Sequence, residues 1–164
     1  MKVLVIAAHP DDEVLGMGGT ITKFIKCGHT VKILIMATGI AARRSTDYKN
    51  NSKYDLNKKE KNQILKQIQN IKKDAKKAAK IMGVNDIQLE SFPDNELDTV
   101  SNLELTKVIE SVIEKFKPDS VYTHSPYDVN VDHRMLYNAT LTATRPKMST
   151  KIKEVICFEV PSST

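Results

Sequence analysis

No stretch of this sequence stays apolar long enough to cross a bilayer. The longest such run, residues 3–8, falls far short of the ~20 residues a spanning helix needs. Only one lysine precedes that run, and no small-residue cleavage site follows it, so a secretory signal is not expected and the expected location is the cytoplasm. Cysteine is scarce: Cys27 and Cys157 stand far apart with no ligand spacing, which argues against a disulfide framework or a thiolate metal site. Aromatic residues do not interleave with the basic ones, and no nucleic-acid motif is present, so the net charge of +5 is not read as a nucleic-acid footprint. The excess lysine is concentrated between Lys58 and Lys80. Apolar residues recur there at helical spacing (Ile64, Leu65, Ile68, Ile71, Ala75, Ala78, Ala79, Met82), which describes a surface helix with one buried stripe. Internal repeats, low-complexity linkers and a composition break are all lacking, and residues 1–164 are expected to form one domain.

What is present is an alternation of strand and helix signals. Residues 2–8 (KVLVIAA) suit a strand buried on both faces, and residues 14–27 a helix stopped by Gly28. A second strand is expected at 30–37, a long polar loop at 38–57, and the lysine-rich helix up to Gly83. A third strand follows at 86–91, then a Pro93-Asp94-Asn95 turn. Ser101 and Glu104 form a capping box for a helix running to about Phe116. Strand 120–123, helix 133–144 and strand 155–160 complete the series. This order predicts an α/β fold, a Rossmann-like three-layer sandwich with a mostly parallel sheet and its active edge at the C-terminal ends of the strands.

The polar clusters all fall on that edge. Ala8-His9-Pro10-Asp11-Asp12-Glu13 follows the first strand, placing an imidazole and two adjacent carboxylates in a turn. Helix capping would explain one aspartate but not His9 and the second carboxylate. Glu13 suits the positive end of the following helix. The other cluster is His124 to Arg134, with Asp128, Asn130, Asp132 and His133 at the end of a later strand. His9, Asp12 and His133 supply two nitrogens and a carboxylate with a position to spare, a donor set suited to catalytic zinc and acceptable to iron(II) or another divalent ion. Gly16, Gly18 and Gly19 follow the first turn too late for a phosphate loop and are assigned to close helix packing.

The A-H-P-D-D-E segment, with D-x-x-x-D-H (Asp128 to His133) about 120 residues on, resembles the PIG-L/LmbE-like N-acetylglucosaminyl deacetylase family. The resemblance extends over nearly the whole chain in element order. It implies zinc ligands at His9, Asp12 and His133, a general base at Asp11, and Asp132 as the residue that orients a histidine three positions before the last ligand. Here that position is Asn130, whose amide is expected to donate to the oxyanion, with His124 as an alternative donor. Arg43 and Arg44, in the loop after the second strand, are expected near the substrate, and Asp128 is a candidate contact for sugar hydroxyls. Family members run beyond the strand at 155–160, so a C-terminally truncated domain is a further expectation.

The activity the resemblance implies is metal-dependent hydrolysis of an N-acetyl amide on a small amino sugar or its conjugate. The alternatives are an inert or incomplete metal-binding domain of the same fold, and a different metal-dependent hydrolase. Which N-acetylated substrate is used stays open, as does assembly into a homo-oligomer.

Overall fold

The computed structural model describes residues 1–37, 58–146 and 151–161. Its strands are β1 (Lys2–Ala7), β2 (Thr30–Ala37), β3 (Asp86–Phe92), β4 (Ser120–His124) and β5 (Glu154–Phe158). The helices are α1 (Asp12–Lys26), α2 (Lys58–Ile81), α3 (Asn102–Phe116) and α4 (Val131–Ala143), with a 3-10 turn at Leu97–Thr99. The strands form one parallel sheet in the order β3-β2-β1-β4-β5.

Alternation along β1 builds the three layers. Val3, Val5 and Ala7 turn to one face, where they pack with Met17 and Ile21 of α1 and Ala75 and Ala79 of α2. Leu4 and Ile6 turn to the other, against Leu105 and Ile109 of α3 and Leu136 and Ala139 of α4. The central strand is therefore apolar at every buried position, because both of its faces are covered. The α/β sandwich expected from the sequence is the fold observed, and its sheet is parallel at every described pairing.

Local signals account for the helix ends. α1 stops in a Schellman arrangement, with the His29 N–H on the Phe24 carbonyl and Gly28 at φ 77°, a conformation that favours glycine. The Ser101 hydroxyl accepts the Glu104 N–H at 3.1 Å, the cap the sequence predicts. Gly16 permits a close approach: a Cβ there would lie 2.6 Å from the Phe158 ring and 2.7 Å from the Glu159 carbonyl oxygen. Helix packing thus explains Gly16.

Two boundaries differ from expectation. α1 begins at Asp12 and α4 at Val131, one partial turn earlier than the apolar periodicity suggested. In α4 the reason is Asn130, whose Oδ1 accepts the Asp132 N–H at 2.8 Å and caps the helix. Asp12 and His133 thereby stand in the first turns of two helices, just beyond adjacent strands β1 and β4. Chain direction departs to opposite sides of the sheet at this point, since β1 is followed by β2 on one flank and has β4 on the other. Such a switch point leaves a crevice at the strand ends.

Candidate metal centre

Three segments meet at the C-terminal edge of the sheet: the turn after β1, the turn after β3 and the loop from β4 into α4. His9, Asp12 and His133 each offer one ligand atom, and these atoms all lie within 4.8 Å of one another. The meeting point is Asp12 Oδ2. It lies 3.5 Å from His9 Nδ1 and 3.2 Å from His133 Nε2, and accepts the His9 main-chain N–H at 2.9 Å. Asp12 and His133 are buried, and His9 is nearly so.

Each histidine uses its other ring nitrogen on a carboxylate. His133 Nδ1 donates to Asp128 Oδ2 at 2.7 Å. His9 Nε2 faces two acceptors, Asp132 Oδ2 at 2.9 Å and Asp94 Oδ1 at 3.1 Å. Backbone groups hold these carboxylates in turn. Asp128 Oδ1 accepts the Asn130 N–H, while Asp132 accepts the Asn95 N–H on one oxygen and the Leu97 N–H on the other. The guanidinium of Arg134 donates to the carbonyls of Asp128 and Val129 and so braces the loop before α4.

The electrostatics follow from this geometry. Burial alone would raise the Asp12 carboxyl, but the imidazoles packed around it outweigh burial and hold it well below the usual carboxylate range. For His9, burial opposes the charged ring, yet its hydrogen bonds to Asp12, Asp132 and Asp94 prevail and push its pKa up to about 11. His133 is raised in the same way, burial being outweighed chiefly by Asp12. Burial pushes Glu13 up to about 7. Asp12, Asp94, Asp128 and Asp132 are all buried around the three imidazoles of His9, His124 and His133. A divalent cation among the nitrogen and oxygen donors would offset that concentration of carboxylates, and the donor set fits zinc or iron(II).

The remaining predicted residues fall in different places. Asp11 is exposed, its main-chain N–H donating to Glu13 Oε2 at 3.1 Å. Asn130 is half-buried, with its Nδ2 3.4 Å from Asn95 Oδ1. His124 was expected as an oxyanion donor, but it is fully buried and stacked on His133 at 3.8 Å. Its Nε2 accepts the Ala8 N–H at 2.9 Å, so that nitrogen carries no proton to donate, and burial lowers its pKa. Asp128, expected to meet sugar hydroxyls, is 1% exposed and engaged behind His133, because its backbone precedes the cap of α4. The Asp132 carboxylate does not reach the residue at 130; it turns to His9 and the turn after β3. Arg43 and Arg44 lie outside the described residues. Asp94 was missed. The signal for it is a Pro-Asp-Asn turn directly after a strand on the active edge, which by itself predicts only a turn.

The chain has recognisable relatives. The sequence model of the PIG-L family, GlcNAc-PI de-N-acetylase, matches residues 4–144. A diacetylchitobiose deacetylase of Thermococcus kodakarensis is 34% identical over 136 residues, covering 81% of this chain and 45% of that protein. The structure of the N,N'-diacetylchitobiose deacetylase of Pyrococcus horikoshii, complexed with its inhibitor MPG, superposes with a TM-score of 0.64 at 29% identity. It covers 87% of this chain and 48% of that one. GalB, the 4-carboxy-2-hydroxymuconate hydratase of Pseudomonas putida, reaches the same TM-score, 0.64, at 20% identity, a likeness of fold. The chain spans about half the length of the first two relatives.

Proposed function

The chain belongs to the PIG-L family, and from that premise we propose that it is a metal-dependent hydrolase that removes an N-acetyl group from an amino sugar or amino-sugar conjugate. The observation that carries the reading is the convergence of His9, Asp12 and His133 within 4.8 Å at the switch point of the sheet, with the exposed Asp11 next to Asp12 in the chain. Diacetylchitobiose deacetylases among its relatives support the substrate class.

In this reading His9, Asp12 and His133 hold zinc or another divalent ion. Bound there, the ion supplies a Lewis acid that polarises the amide carbonyl and acidifies a water molecule. Asp11 takes a proton from the attacking water and later returns one to the departing amine, so that the amide and water become acetate and a free amino group. The Asn130 amide offers Nδ2 to the oxyanion, while its Oδ1 stays engaged on the helix it caps. Asp128 keeps His133 in the orientation the ion requires, and Arg43 or Arg44 meets the sugar.

One observation favours a second reading, that of an inert metal-binding domain: the position that would hold a histidine is Asn130, which is already used as a helix cap. Acetate release from a panel of N-acetylated sugars and nucleotide sugars decides between them. Release that requires the metal is expected. No release from protein that still binds one zinc per chain would establish the inert reading.

A further inference from the structure

The deacetylase reading leaves Asp94 without a role, although it is a buried carboxylate at 4% exposure on a turn far from both motifs. Its Oδ1 lies 3.1 Å from His9 Nε2, and the same nitrogen lies 2.9 Å from Asp132 Oδ2. The two acceptors are not equivalent. Asp132 is tied to the Asn95 and Leu97 N–H groups as well, so its removal would also open the turn after β3.

A ligating histidine must present a lone pair to the metal, and the proton on its other nitrogen is placed by whatever accepts it. His133 has Nδ1 committed to Asp128, which leaves Nε2 facing Asp12 at 3.2 Å. His9 is arranged the other way round, with Nε2 committed to carboxylates and Nδ1 facing the same Asp12 oxygen at 3.5 Å. We propose that Asp94 is a positioning residue for the metal, acting with Asp132 to hold the Nε2–H of His9 so that His9 ligates through Nδ1 while His133 ligates through Nε2.

The proposal rests on the metal-site reading and is tested apart from activity. In zinc-loaded protein, long-range proton–nitrogen spectra of the histidine rings should show His9 protonated at Nε2 and His133 at Nδ1. Chelator competition should find zinc bound about 10–100-fold more weakly in Asp94→Ala, with a smaller loss in Asp94→Asn, which keeps an acceptor but not the charge. Should Asp94→Ala fail to fold, Asp94→Asn carries the comparison, with circular dichroism as the check on its fold. Wild-type zinc affinity in a folded Asp94→Asn or Asp94→Ala variant, accompanied by a raised KM, would make Asp94 a substrate contact and overturn the proposal. Zinc on His9 Nε2 would overturn it equally. A wild-type chain that takes up no zinc overturns the metal reading itself, and this proposal with it.

Discussion

Asp128 Oδ2 lies 2.7 Å from His133 Nδ1, with both side chains almost completely sealed from solvent. The contact fixes the ring of a candidate ligand from behind. It also satisfies a buried N–H that would otherwise cost about 1–3 kcal/mol. Asp128→Ala is therefore expected to lower stability by about that amount and to weaken zinc binding by roughly 10–100-fold. Thermal melts of metal-free and zinc-loaded protein, with chelator competition, measure both effects. An Asp128→Ala variant with unchanged affinity would show that His133 needs no carboxylate to orient it.

Asp11 is exposed and is not one of the three candidate ligands, so its charge can be removed without dismantling the site. Asp11→Asn should retain bound zinc and lose turnover by about 10²–10⁴-fold, the usual contribution of a general base. Metal analysis alongside acetate release checks it. Substantial remaining activity would take the base role away from Asp11.

The His9 ring gives the metal-free chain a signed pH dependence. Its folded pKa, about 11, exceeds the ordinary value of 6.5, so the stability it contributes is fully present below about pH 6.5 and is lost as the pH rises through about 11. Metal binding must displace a proton from the same ring, so zinc affinity should climb with pH over this window, by up to about tenfold per unit. Melting temperatures from neutral to alkaline pH, with and without zinc, should diverge. Parallel curves would mean that His9 is not charged in the metal-free chain.

Glu13 is fully buried, and its pKa is raised from 4.5 to about 7. The raised value means that Glu13 supports the fold below about pH 4.5 and progressively ceases to as the pH passes through about 7. Glu13→Gln keeps an acceptor for the Asp11 N–H and cannot ionise. Above neutral pH it should be more stable than wild type, by up to about 3 kcal/mol, with the gain vanishing in acid. Equal stability of the two proteins at alkaline pH would count against a buried neutral carboxyl.

Two glycines of α1 should respond oppositely to alanine. Helix propensity favours alanine by up to about 1 kcal/mol at each. At Gly19 nothing lies within 4 Å of the added carbon, and Gly19→Ala should stabilise by that amount. At Gly16 the added carbon meets the Glu159 carbonyl oxygen at 2.7 Å, backbone that cannot swing aside, and overpacking costs of about 1–3 kcal/mol should prevail. Denaturant unfolding of the two variants reads the signs directly.

Much of the fold was legible because its signals are local. The apolar run of β1, the capping box at Ser101 and Glu104, and the stop at Gly28 each depend on residues within a few positions of one another. The edge that carries the site was legible too, since strand–helix alternation places every β-to-α turn on one side of the sheet. For His124 and Asp132 the deciding partners are remote in sequence, whereas Asp128 meets His133 only five positions on. His124 faces Ala8 at a separation of 116 residues, and Asp132 reaches His9 at 123 and Asn95 at 37.

The amino-acid sequence by itself determined the strands, the Ser101 cap and the Gly28 stop, the resemblance to a deacetylase family and the choice of His9, Asp12 and His133 as candidate ligands. Only the tertiary structure decided which carboxylate serves which imidazole: Asp128 for His133, Asp132 with Asp94 for His9, and a backbone N–H for His124. Hydrophobic periodicity is a property of one segment. A hydrogen bond near 3 Å between segments instead depends on how helices and turns settle against the sheet, and no spacing along the chain encodes that distance.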